Sequence, residues 1–171
     1  IRYDHAGNLI SVASFYPPFG PNNPYDRRLA IDPFGAIFYA APSNFFQSFS
    51  GDVWMMRYDG YSGRALWQAP AVYDSALDNV DTPDRLLVDT AGNVIVVGSS
   101  RPQSSGGVKY VFALQLDGVT GAVNWSAMTG PGYDYDAPTA EALDSAGNVF
   151  ISHIDLASGL PMTLKYAGAD G

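Results

Sequence analysis

At 171 residues, with 47% hydrophobic and 13% aromatic side chains, the chain is long enough to bury a domain-sized core and too apolar to stay unfolded. Seventeen acidic against nine basic side chains leave a formal charge of -8, which disfavours phosphate backbones and anionic lipid surfaces as partners. The absence of cysteine excludes disulfides, thiolate zinc sites and cysteine nucleophiles.

Two motifs alternate along the chain. IRYDHAGNLIS at Ile1 is followed by LAIDPFGAIFYAA at Leu29, MRYDGYSGRALWQ at Met56, LLVDTAGNVIVVG at Leu86, LQLDGVTGAVNWS at Leu114, ALDSAGNVFIS at Ala142 and the fragment TLKYAGADG at the end. Each motif recurs about every 56 residues, the mark of stacked or radially arranged supersecondary units. In the copy from 85 to 140, strands are predicted at Arg85 to Asp89, Val94 to Gly98, Val108 to Leu116 and Ala122 to Met128. No repeat has the sustained spacing of an amphipathic helix. No stretch approaches the roughly 20 apolar residues that span a bilayer, and the chain does not open like a signal peptide. It begins at Ile1 either as a mature product or as a piece of something longer.

The turns have a mechanical basis. An Asp carboxylate accepts hydrogen bonds from the backbone N–H groups that follow it, and Gly takes the positive φ of a tight hairpin. Asp32 with Gly35, Asp89 with Gly92 and Asp144 with Gly147 fill this role in the first motif. Asp4 with Gly7 is grouped with the second motif, beside Asp59 with Gly63 and Asp117 with Gly121. Trp67 and Trp125 stand four residues after the second-motif glycine, where a large ring packs against a neighbouring unit; Ser11 takes that place in the first copy.

Four antiparallel strands per repeat, joined by tight turns, predict an all-β chain that is part of a β-propeller. The D-x-x-G-N-[VI] turn with its β-branched strand resembles the bacterial β-propeller repeat called SBBP. Leu116 to Trp125, and its relative Tyr58 to Trp67, is similar to the tryptophan-docking motif of quinoprotein-like propellers. The expected division is 1–28 as the end of one blade, 29–84 and 85–140 as whole blades, and 141–171 as the start of the next. Three blade equivalents are too few for a ring of roughly four to eight. Closure therefore requires either the remainder of a longer propeller or self-association.

The loops supply the candidate sites. Tyr73 to Asp84 and Gly130 to Asp136 are acidic, and Asp78, Asp81, Asp134 and Asp136 are candidate calcium ligands or, alternatively, turn and hydrogen-bonding residues. Arg28 and Arg85 share a repeat position on the first strand, where they hold an anionic ligand over the central channel or form salt bridges with Asp26 or Asp84. Phe15, Tyr16, Phe19, Phe45 and Phe46 in the longer loops either stack on sugars and anchor a protein partner or cover the blade ends. His5 and His153 lie at different repeat positions, His5 in a turn, and no G-x-S-x-G elbow or P-loop pattern occurs.

The leading expectation is a non-enzymatic, secreted or cell-surface scaffold or binding module for protein or glycan, without nucleic-acid partners or membrane insertion. No cofactor is expected beyond calcium. The quinoprotein resemblance implies an alternative, a dehydrogenase holding pyrroloquinoline quinone and calcium. A structural subunit of a surface layer or filament is a further alternative, its end strands joining neighbours by strand addition.

Overall fold

The computed structural model describes residues 2–12, 28–42, 51–75, 79–102, 109–129, 138, 140–155 and 158–168. These residues form an all-β chain of antiparallel sheets in which every strand pairs with its neighbour in sequence. A hairpin of β1 (Arg2–Tyr3) and β2 (Leu9–Ser11) comes first. The next sheet orders β3 (Arg28–Ile31), β4 (Ile37–Pro42), β5 (Val53–Tyr58) and β6 (Ala71–Tyr73). The third orders β7 (Asn79–Val88), β8 (Val94–Pro102), β9 (Tyr110–Leu116) and β10 (Val123–Met128), and the last β11 (Ala140–Leu143), β12 (Val149–Asp155) and β13 (Leu160–Tyr166).

The run Val94-Ile95-Val96-Val97 shows why the middle sheet is apolar on both sides. Side chains alternate across a strand. Val94 and Val96 enter a core shared with Phe38, Val53 and Met55 of the preceding sheet, whereas Ile95 and Val97 enter a second core with Val149 and Ile151 of the following one. Each such side chain, fully buried, contributes about 1.5–3 kcal/mol. The three larger sheets are therefore packed face to face in chain order.

One expectation changes. Residues 79–84 were expected in a loop; they extend β7, which pairs with β8 from Asn79 opposite Pro102 onward. The register shifts between Pro83 and Arg85, so Asp84 is the extra residue of a β-bulge. Because β7 is the sheet's edge strand, Pro83 is tolerated there. The turn at Asp4, grouped with the second motif by its place in the repeat, closes like the turns of the first. The Asp4 N–H donates to the Asn8 carbonyl four residues on, as Asp32 does to Ala36, Asp89 to Asn93 and Asp144 to Asn148; Asp59 and Asp117 close five residues on, at Arg64 and Ala122. The side chain of Asn8 completes the turn by donating to Asp4 Oδ2 at 2.9 Å.

Candidate functional site

The bulge at Asp84 puts polar groups where the first strands of successive sheets meet. Arg28 Nε on β3 donates to the freed Asp84 carbonyl at 2.6 Å, and Arg85 Nε on β7 pairs with Glu141 Oε2 on β11 at 3.1 Å. Both partners are 56 residues further along the chain. Arg85 is 57% exposed in its side chain and Glu141 only 3%, so the pair reaches from solvent into the seam. Burial pushes the Asp84 carboxyl up to about 6; a Ser99 hydrogen bond and the charge of Arg28 oppose this, and Glu141 adds to it. One Asp84 oxygen, Oδ2, is buried without a hydrogen bond.

Outside this seam a second set of contacts closes each joint. Arg57 on β5 gives one N–H to the buried Asp32 carboxylate at 2.7 Å and another to the Gly118 carbonyl of the next sheet at 3.0 Å. Its guanidinium lies 5.4 Å from the centroid of Phe38. Trp67 Nε1 donates to the same carbonyl at 3.0 Å, and Trp125 Nε1 to Gly168 at 3.3 Å in the following joint. Gly118 admits no side chain: a Cβ there would stand 1.9 Å from the Gly92 carbonyl oxygen. At the position of Arg57 the next sheet carries Gln115, which donates to Asp89 at 3.2 Å.

Beside Trp67 is a cleft of about 460 Å³, whose walls include Leu66, Pro70, Val119 and Thr120. The rim combines apolar side chains with the exposed Thr120 hydroxyl and the Gln68 amide. Thr120 Oγ1 is committed to Asp117 at 2.8 Å.

Arg28 and Arg85 are thus brought to one seam, each directed to the next first strand. Of the salt-bridge partners expected for them, Asp84 offers Arg28 its backbone carbonyl, Arg85 takes Glu141 instead, and Asp26 lies outside the described residues. Asp81 is buried on β7 rather than displayed in a loop; its Oδ2 accepts the Ser75 N–H at 3.0 Å, and burial raises its pKa. Asp78, Asp134 and Asp136 lie outside the described residues, as do Phe15, Tyr16, Phe19, Phe45 and Phe46. Among the described residues no group of three or more acidic or histidine side chains converges as metal ligands. His5 lies exposed in the first turn, and His153 is buried on β12. Nothing local in the sequence marks Glu141 or Arg57, whereas Gly118 belongs to a series, Gly60, Gly118 and Gly168, that follows each second-motif position.

No family model and no curated protein matches the chain.

Proposed function

We propose that the chain is an arc of a β-propeller that serves as a secreted or cell-surface scaffold or binding module for protein or glycan, with no catalysis of its own. The observation that carries this reading is the seam of first strands. Arg28 reaches Asp84 and Arg85 reaches Glu141 at one repeat interval, so β3, β7 and β11 line up as inner strands. A radial array brings the first strands of its blades together around a central channel. Trp67 and Trp125 join the same sheets at a second place, by hydrogen bonds to Gly118 and Gly168. With these polar groups committed to joining the units, recognition falls to the loops, whose aromatic residues suit sugar rings and apolar protein anchors. The acidic charge and the abundance of Gly, Pro and Tyr support an extracellular setting.

The test has two parts. Small-angle scattering should give a profile fitting three radially arranged sheets rather than a flat stack. A glycan array probed with the native chain should show binding that the triple change Phe15→Ala, Tyr16→Ala and Phe19→Ala abolishes without altering the circular dichroism spectrum. Turnover of a substrate by a chain that binds nothing on the array would refute the non-catalytic module.

A further inference from the structure

The repeat supplies its own control for which side chains the fold needs. Two residues after the turn aspartate stand Ala6, Ala91 and Ala146 in three copies, but in the β3–β4 turn Phe34, which is 80% exposed. Two residues after Asp59 comes Tyr61, 70% exposed, where the next unit has Val119. The alanine turns close in the same way, so the turn does not require the Phe34 ring. A ring left in water contributes no burial, and hence little stability. Both residues are held firmly: Asp32 Oδ1 accepts the Phe34 N–H at 2.9 Å, and Asp59 Oδ1 accepts the Tyr61 N–H at 3.2 Å. Their turns touch, since a Cβ on Gly60 would collide with the Gly35 carbonyl oxygen.

The same sheet departs from the repeat along its fourth strand. In the following sheet β10 pairs with β9 without a break from Trp125 opposite Gln115 to Met128 opposite Phe112. Here the Leu66 N–H donates to the Arg57 carbonyl at 2.8 Å, and pairing resumes only at Ala71 opposite Met55. Trp67, Gln68, Ala69 and Pro70 thus stand opposite Met56 alone, as a bulge. They form one wall of the cleft of about 460 Å³, and Val119, Thr120 and Gly121 of the next sheet form the other. Phe34 comes to the same joint. Its ring lies 3.7 Å from where a Cβ on Gly92 would be, and Gly118, next to Val119, rests on the backbone of that glycine.

We infer that this joint is a subsite for a neutral oligosaccharide, with Phe34 and Tyr61 as stacking platforms and Gln68 as a hydrogen-bonding group. No side chain lining the cleft is ionisable, in a chain of formal charge -8. A charged ligand would shed water there without gaining a partner. The cleft volume falls within the roughly 300–1,000 Å³ of small-ligand sites. The apolar C–H face of a pyranose matches an exposed ring face, and an amide, which both donates and accepts, matches sugar hydroxyls. Rings already fixed on turns lose little freedom when they are covered, so more of each contact is kept as affinity. The inference rests on the glycan arm of the module reading above and adds to it a site built on turns.

Isothermal titration calorimetry of the native chain with cellohexaose, xylohexaose and mannohexaose tests it, with hexagalacturonate as the anionic counterpart. At least one neutral sugar should bind, more tightly than hexagalacturonate, and the Gln68 side-chain amide resonances should shift during that titration. Phe34→Ala and Tyr61→Val install the residues that other copies of the repeat carry, at exposed positions where circular dichroism verifies the fold; each should weaken binding about tenfold. Gln68→Leu keeps the bulk, removes the amide and should weaken binding about tenfold as well. No heat with any of the three neutral sugars overturns the subsite, as does binding that all three variants leave unchanged. If such unchanged binding is lost in the chain carrying Phe15→Ala, Tyr16→Ala and Phe19→Ala, the module reading stands and the subsite alone has failed. A native chain that binds neither these sugars nor the glycan array removes the glycan arm of the module reading too, leaving a protein as its partner.

Discussion

Trp67 Nε1 and Gly118 O lie 3.0 Å apart across the seam between two sheets, 51 residues apart in the chain. The indole also packs against Phe38, with ring centroids 5.7 Å apart, and lies against the Gly121 turn. Hydrogen bond and packing can be separated by substitution. Trp67→Phe keeps a ring and removes the donor, leaving Arg57 on the carbonyl, so the expected loss is about 1 kcal/mol. Trp67→Ala removes the ring as well and should cost about 3–5 kcal/mol. Urea unfolding followed by circular dichroism measures both; equal losses would show that the ring contributes little.

Arg57 and Asp32 form an ion pair whose carboxylate is fully enclosed. Breaking such a pair strands a charge, at a cost of about 3–5 kcal/mol, whereas replacing both partners by neutral groups is often close to neutral. Arg57→Met should therefore be severely destabilising. The double change Asp32→Asn with Arg57→Gln should recover most of that loss, because Gln115 donating to Asp89 shows that an amide fits this position. A double-mutant cycle in urea supplies the coupling, and additivity of the two single changes would contradict it.

The period, the four-stranded units and the turn aspartates were legible because they depend on neighbours in sequence. An Asp followed three residues later by Gly builds its own hairpin wherever it stands, and Gly35, Gly92 and Gly147 take positive φ of 80 to 88° as expected. The turn class of Asp4 does not follow from its place in the repeat; the Asn four residues on, shared by Asp4, Asp89 and Asp144, marks it. Thr82-Pro83-Asp84 resembled a loop because Pro and Asp punctuate most strands, but an edge strand absorbs them at a bulge. The partners of Arg85 and Arg57 were not legible. Glu141 and Gly118 are placed by how whole sheets pack, and nothing within a few residues of either arginine encodes that.

Gly118 offers a test of close approach. Its missing side chain lets the turn lie on the Gly92 backbone, and an added methyl would meet the Gly92 carbonyl oxygen at 1.9 Å. Backbone cannot give way as a flexible side chain does, so Gly118→Ala should cost about 3 kcal/mol and also disturb the Trp67 bond to the same residue. Gly159 is a control: a Cβ there meets nothing within 4 Å, and only its φ of 70° opposes a side chain. Gly159→Ala should lose about 1 kcal/mol. Tryptophan fluorescence should shift in the Gly118 variant and stay unchanged in the Gly159 variant.

Asp84 sets a pH dependence whose sign differs from that of the turn carboxylates. Burial raises its folded pKa from 3.8 to about 6, so the folded chain binds this proton more tightly than the unfolded chain does. Its contribution is fully present below pH 3.8 and is lost as pH rises through about 6. The shift corresponds to roughly 2–3 kcal/mol. Asp59 and Asp117, held below their usual value first by hydrogen bonds from the Ser62 and Thr120 backbones, act in the opposite direction and lower stability only as pH falls through their depressed pKa values. Asp81, whose pKa burial also raises, acts in the same direction as Asp84, and between about pH 4 and 6 stability should decline as pH rises. Asp84→Asn mimics the protonated carboxyl at every pH, leaves the backbone carbonyl that Arg28 uses, and should make that decline shallower while making the chain more stable than the native one at pH 7. Urea midpoints of both chains at several pH values check this, and parallel profiles would show that Asp84 titrates normally.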